Sequence, residues 1–359
     1  MSELGAHIAA LIAEDGPIPV ERFMELALTH PEYGYYMNRD PFGAAGDFTT
    51  APEITQMFGE LIGLWAAEVW AMMGRPDPLR FIELGPGRGT LMSDALRAAR
   101  IAPDFRTALD VTLVEASPSL AEIQHDTLLT SGAPISWASA LADVPEGPAI
   151  VIANEFLDAL PIRQYVRSHN RWRERVVWLE KNGQLAFAPG RQPEPFIQAQ
   201  GEEGDIIEVC PAAHRLMYSL GARLAKQGGV ALFLDYGHGV TSIGDTLQAV
   251  RGHRIVDVLT EPGECDITAH VDFAAMARSA RAAGAAVYGP IDQGDFLREI
   301  GIDTRAKALS DRSPDRADEF EQARKRVAGK DVGEMGSLFK VMVVAHRDLP
   351  PPPGFEGAK

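Results

Sequence analysis

Cysteine is scarce. Cys210 and Cys265 are the only two in 359 residues, far apart and without C-x-x-C spacing, so neither a disulfide framework nor a zinc site is indicated. No set of His, Cys and Asp residues has metal-ligand spacing, and the G-x-S-x-G elbow of a Ser/His/Asp hydrolase is missing. Long apolar runs are missing too: no stretch reaches the ~20 residues a membrane span needs. Positive charge is in deficit, with 34 Lys and Arg against 50 Asp and Glu and a formal net charge of -16. That balance argues against bulk attraction to a phosphate backbone, and so against a nucleic-acid partner. The N-terminal MSELGAHIAALIAEDG carries neither the basic n-region of a secretory signal nor the arginines of a transit peptide, which makes cytoplasmic residence the expectation. What the chain does have is 46% hydrophobic content, enough for a sizeable core in one large domain or two smaller ones.

The most informative stretch is Arg80 to Leu91, RFIELGPGRGTL, in which a short apolar strand runs into glycines at 85, 87 and 89 and then into a helix. Such a turn lets a nucleoside ligand sit directly on the backbone. Dinucleotide folds use G-x-G-x-x-G, whereas Thr90 stands where that spacing needs its third glycine, and the motif reads E-x-G-x-G-x-G. Glu83 lies just ahead of the turn, where its carboxylate can meet a cationic ligand group; S-adenosylmethionine has an ammonium group and no phosphate. The next strand, LDVTLVE, ends in Glu115, about 25 positions beyond the glycines, where an acid can accept both ribose hydroxyls. An NAD site predicts a similar acid, so the glycine spacing and Glu83 are what separate the two cofactors.

From 79 to 162 strands and helices alternate, which implies right-handed β-α-β crossovers and an α/β fold with a mostly parallel sheet. Ahead of it, residues 1–75 read as an N-terminal helical extension with helices over 3–14, 19–30 and 52–73, and with Gly43 to Thr50 as a lid. The apolar stripe Ile54, Met57, Phe58, Leu61, Ile62, Leu64, Trp65, Val69 and Trp70 of the third helix packs on a sheet or on a second subunit, so a homodimer face is open at this point. The core is expected over 76–348, with antiparallel hairpins inserted at about 163–204 around a turn at Asn182-Gly183 and a helical insertion at about 290–334. Arginines 163, 167, 171, 173 and 175 make the hairpins the most basic surface, read as a solvated strand face before a binding strip. The Pro-rich tail, 349–359, is expected to be disordered.

Ligands collect at the carboxyl ends of parallel strands, where strand order reverses. The turn at 85–89, Glu115 and the segment near Trp137 fall at such ends, and so does Asn154-Glu155-Phe156-Leu157-Asp158, which brings an amide and two carboxylates to the same edge. Methyl transfer is an in-line displacement at a sulfonium carbon, so positioning and charge matching are its main requirements. Paired carboxylates such as Glu155 and Asp158 can grip a planar guanidinium and orient one nitrogen; alternatively they cap a following helix. Asn154 accepts from an amine or closes the turn. Asp235-Tyr236-Gly237-His238 forms a second polar cluster, with His238 read first as structural. Near Thr268, His270 and Asp272, one residue is a helix N-cap and His270 shapes an acceptor pocket.

The segments GDFTTAPEITQMFGELIG (46–63), FIELGPGRGTL (81–91), NEFLDALP (154–161), FLDYGH (233–238), DITAHVDF (266–273) and MGSLFKVM (336–343) closely resemble the MidA-like proteins, relatives of a mitochondrial complex I assembly factor that methylates an arginine. The resemblance spans nearly the whole chain. It implies a class I Rossmann-like methyltransferase that uses S-adenosyl-L-methionine. By analogy Gly85, Gly87, Gly89 and Glu115 bind the cofactor; the reading of the residues adds Glu83 and Asn154 on the cofactor side, and Glu155, Asp158 and His270 on the acceptor side with Asp47, Phe48, Thr49 and Thr50 as the lid. Asp158 departs from the paired glutamates of protein arginine methyltransferases, and the spacing is shorter. The implied partner is a protein, a respiratory complex I subunit among the candidates. An assembly or binding protein with little catalysis, or a small-molecule methyltransferase, are the other readings.

Overall fold

Short aliphatic and β-branched runs build the main sheet: Leu79–Leu84 (β1), Leu109–Val114 (β2), Ile135–Ala138 (β3), Ala149–Asn154 (β4), Gly229–His238 (β5), Ala286–Asp292 (β6) and Phe339–Ala345 (β7). The structure is a computed structural model, and it describes residues 2–38 and 49–357. Spatial order is β3-β2-β1-β4-β5-β7-β6, with Val271–Asp272 attached to β5. Strands β1 to β5 are parallel, while β7 runs antiparallel to both β5 and β6. The chain moves outward from β1 to β3 and then returns to β4 on the other flank, so the carboxyl ends of β1 and β4 form the switch point. Every residue of β4 is buried, as a central strand covered on both faces must be.

The helices Gln56–Met72 (α1), Thr90–Ala98 (α2) and Pro118–Leu128 (α3) flank these strands. The helix read over 52–73 is two: Ala51–Ile54 and α1, separated by Thr55 at φ -158 and ψ 134. The Thr55 hydroxyl accepts from the Met57 N–H at 3.2 Å, so a β-branched N-cap restarts the helix. Phe58, Leu61, Ile62, Trp65, Val69 and Trp70 lie in the core with β1, β2, β4, β5 and β7. The stripe weighed as a dimer face is therefore buried within the fold. Gly59 and Gly63 let α1 lie directly on α2, since a Cβ at Gly63 would fall 2.5 Å from the Ala95 carbonyl oxygen.

Two further expectations change. Gly289-Pro290 interrupts the strand pattern of β6, where a helical insertion is expected from about 290; the ladder slips between Tyr288 and Ile291, which an edge strand tolerates. The tail expected to be disordered is docked at its described residues. Phe355 is buried against Phe296, and the Trp65 indole donates to the Pro353 carbonyl at 3.1 Å. Proline leaves little chain entropy to lose, and the aromatic ring supplies the burial.

The chain divides into two compact units, one of Met1–Phe48, Asp158–Arg215 and Val240–His270, the other of Thr49–Leu157, Leu216–Gly239 and Val271–Lys359. This differs from the partition expected at residue 75: α1 belongs to the second unit, and the N-terminal helices share the first unit with the hairpins. In that first unit, helices Glu3–Asp15 and Val20–Thr29 accompany an antiparallel sheet of Ile18–Pro19, Arg171–Leu179, Arg163–Ser168 and Ile206–Val209, with Leu185–Pro193 on Arg171–Leu179. Its core holds Ile8, Phe23, Met24, Tyr35, Val177 and Ile267. Four of the hairpin arginines are engaged within the chain: Arg163 with Glu174, Arg175 with Asp245 and over the Phe187 ring, Arg173 with the Gly190 carbonyl, and Arg167 over Trp172.

Candidate functional site

At the end of β1 the backbone turns through Gly85, Gly87 and Gly89 with φ of +62, +53 and +81. All three lie in the left-handed region that side chains avoid. A Cβ at Gly85 would also meet the Phe156 ring at 2.6 Å. Gly89 is the N-cap of α2. The turn therefore presents bare backbone at the switch point, as the E-x-G-x-G-x-G pattern requires.

Glu83, in β1 between Leu113 of β2 and Ile152 of β4, is 3% exposed. Its Oε2 has no hydrogen-bond partner among the described residues, and burial pushes its carboxyl up to about 8. A buried acid without a cation is costly in its charged form. Glu115, just past β2, accepts from the Ser117 N–H at 2.8 Å and from Gln124 Nε2 at 2.9 Å. Burial raises its carboxyl while these bonds oppose the rise. Sequence reasoning missed Gln124; its signal was a polar residue on the buried stripe Leu120, Gln124, Leu128 of α3.

At the end of β4, Asn154 is buried and its Oδ1 lacks a partner among the described residues. Its Nδ2 donates to Glu155 Oε1 at 3.1 Å, which also accepts from the Ala51 N–H at 3.1 Å. Glu155 itself sits at φ +48, an uncommon conformation for a glutamate that active sites and turns concentrate. No helix follows β4, so the capping alternative fails for the following segment; Glu155 instead meets the first turn of Ala51–Ile54. The turn after β4 is held by Asp235, 1% exposed, whose Oδ2 accepts from the N–H groups of Phe156 and Leu157 at 3.1 and 2.9 Å. Asp235 is thereby a structural anchor for the polar segment. Thr50 is buried beside this edge as the N-cap of Ala51–Ile54, and Thr49 is partly exposed. Asp47 and Phe48 lie outside the described residues.

Asp158 and His270 belong to the first unit. The Asp158 carbonyl accepts from the Ala269 N–H at 3.0 Å, and the His270 N–H donates to Thr246 Oγ1 at 2.9 Å. Asp158 and Asp266 are each 6% exposed. Tyr36 donates its hydroxyl to Asp266 Oδ1 at 2.7 Å; burial and then the charges of Asp266 and Asp158 push that hydroxyl well above its ordinary range. Thr268 is buried in the strand Asp266–Thr268, and the N-cap of the helix Phe273–Ala282 is Asp272, which accepts from the Ala275 N–H at 2.9 Å. His238 closes β5 in register with Asp272.

These residues fit an adenosyl sulfonium ligand. The open acceptor oxygens of Glu83 and Asn154 suit an amino acid ammonium, Glu115 suits a vicinal diol, and the glycines leave room for close contact. No group of His, Cys, Asp and Glu side chains among the described residues is placed to hold a metal ion, and no helix among them is long and apolar enough to cross a membrane.

Comparison with known proteins bears on the same region. The family model described as "Putative S-adenosyl-L-methionine-dependent methyltransferase" matches residues 61–291. Human mitochondrial protein arginine methyltransferase NDUFAF7 is 40% identical over 334 residues, 86% of this chain and 75% of that protein. Its zebrafish (Danio rerio) counterpart is 38% identical over 370 residues, 94% of this chain and 86% of that protein. The crystal structure of a COG1565 superfamily member from Burkholderia thailandensis, bound to S-adenosyl-homocysteine, superposes with a TM-score of 0.85 at 29% identity, covering 99% of this chain and 93% of that one. One expectation is overturned: the human and zebrafish relatives are named as mitochondrial proteins, which conflicts with the cytoplasmic residence read from the N-terminus. A targeting address is read by a receptor and is separate from the fold. The resemblance carried by the motifs holds across the chain, and the protein belongs to the family of S-adenosylmethionine-dependent methyltransferases.

Proposed function

We propose that this methyltransferase modifies an arginine side chain of a protein partner, a respiratory complex I subunit being the partner the family resemblance implies. On the cofactor side we assign Glu83 and Asn154 to the ammonium end, the backbone of Gly85, Gly87 and Gly89 to the adenosyl group, and Glu115 to the ribose hydroxyls. When bound, the cofactor supplies an electrophilic methyl group on a sulfonium. The chain's own task is then to orient a nitrogen lone pair and match its charge. From the family resemblance we assign acceptor roles to Glu155 and Asp158, whose carboxylates suit the planar donors of a guanidinium, and to His270, Thr49 and Thr50, with Asp47 and Phe48 outside the described residues.

The observation that carries the cofactor half is the buried Glu83 carboxylate, with an acceptor oxygen open immediately ahead of a left-handed glycine turn. The arginine half is supported by the 40% identity to a protein arginine methyltransferase and by the buried acids Asp158 and Asp266. The test is transfer of a radiolabelled methyl group from S-adenosylmethionine into a lysate of the source organism, followed by identification of the labelled residue. Label on arginine of a protein is expected; label confined to lysine or to small molecules rejects the arginine assignment. Glu155→Gln and Asp158→Asn should each lower transfer by about tenfold or more, the effect of losing one charge-assisted contact. Full activity in both variants removes the guanidinium clamp.

A further inference from the structure

Gln124 on α3 is fully buried, and its side chain joins three separate segments. Nε2 donates to the Gly87 carbonyl at 2.8 Å and to Glu115 Oε2 at 2.9 Å, and Oε1 accepts from the Trp137 indole at 3.0 Å. Chemistry fixes the orientation of this amide. An indole N–H only donates, whereas a carbonyl and an ionised carboxylate only accept, so a flipped amide would lose all three bonds. Packing alone would be served by an aliphatic residue between Leu120 and Leu128, without the cost of burying an amide.

We propose that Gln124 is a positioning residue for the cofactor, bracing the glycine turn, the ribose-binding acid and the Trp137 strand end into one fixed spacing. This rests on the cofactor reading above. Trp137 acts through the amide: its half-buried indole at the end of β3 holds Oε1 and so aims both Nε2 hydrogens. The amide also opposes the rise that burial imposes on the Glu115 carboxyl. Without the brace, Glu115 retains the Ser117 N–H on one oxygen, and the other is free to rotate away from a diol.

The test is calorimetric titration of the full chain with S-adenosylhomocysteine, for wild type, Gln124→Met, Glu115→Gln, the double variant and Trp137→Phe. Gln124→Met is expected to weaken binding by about tenfold or more, as for a lost hydrogen bond to a charged group. The double variant should lose clearly less than the sum of the two single losses, since the two residues share the Glu115–Gln124 contact; full additivity overturns the proposal. For an analogue lacking both ribose hydroxyls the gap between wild type and Gln124→Met should narrow severalfold, leaving only the part carried by the Gly87 carbonyl; a merely structural role would leave the gap unchanged. If Gln124→Met binds like wild type while Glu115→Gln is weakened, the positioning role is overturned and the cofactor reading survives. If Glu115→Gln binds like wild type, both fall. Should Gln124→Met not fold, Trp137→Phe keeps an aromatic ring at the half-buried position and removes the donor to Oε1; several-fold weaker binding supports the proposal, and unchanged affinity overturns it.

Discussion

Replacing Glu83 by Gln tests the buried acid most directly, because it keeps the shape and removes the charge. Burial raises this carboxyl from 4.5 to about 8, so between those values the folded chain holds a proton that the unfolded chain has lost. The sign follows from linkage: the folded state binds more protons in that window, and stability falls as pH rises through it, levelling off above pH 8. At 1.36 kcal/mol per pH unit, with the slope easing near the folded pKa, the loss from pH 6 to pH 8 is about 2 kcal/mol. Glu83→Gln lacks this component. Urea unfolding of the ligand-free wild type and variant at pH 6, 7 and 8 should therefore give a stability difference that moves toward the variant as pH rises, other titrations cancelling in the comparison. Binding of a cation beside the carboxylate should reverse the shift, so S-adenosylmethionine titrated at pH 7 in buffers of different ionisation enthalpy should release close to one proton from wild type and none from Glu83→Gln. The variant should also lose roughly ten- to a hundredfold in affinity, the value of a charged hydrogen bond. Parallel pH profiles for the two proteins, together with unchanged affinity, would refute the assignment.

Other substitutions probe the support around the site. Gly85→Ala places a Cβ 2.6 Å from the Phe156 ring in a backbone at φ +62; a loss of about 1–3 kcal/mol in thermal or urea unfolding, with weaker cofactor binding, is expected. Gly87→Val should fold by circular dichroism and fail to bind S-adenosylmethionine, because a branched side chain at φ +53 blocks the turn. Asp235→Ala strips the N–H groups of Phe156 and Leu157 of their acceptor and should cost about 2–4 kcal/mol, with methyl transfer falling further than stability explains. Phe355→Ala empties a buried site on the tail and should cost about 3–5 kcal/mol; a change under about 0.5 kcal/mol would mean that the tail is not docked in solution.

Local pattern was enough for the centre of the sheet. The runs at 79–84, 109–114 and 149–154, the glycine turn and the acid at 115 were all legible because each depends on neighbours close in sequence: a strand needs its apolar run, and a left-handed turn needs glycine. The helix break at Thr55 was not legible because a buried threonine serves equally as helix interior or as a local N-cap, and the interrupted strand Ala286–Asp292 and the docked Phe355 were not because each is decided by a partner far along the chain. Phe355 sits in a proline-rich tail whose burial comes from Phe296 and Trp65. The same division runs through the site. Sequence by itself determined the family, the sheet and the residue types that meet an adenosyl sulfonium, since those are carried by spacing along one strand-turn-helix unit. Tertiary structure alone decided that Glu83 is buried with Oε2 unpartnered among the described residues, that Asp235 holds the N–H groups of Phe156 and Leu157, and that Gln124 ties Gly87 to Glu115. Burial and hydrogen-bond partnership are properties of residues brought together across the fold, and no local pattern encodes which polar group will be left open.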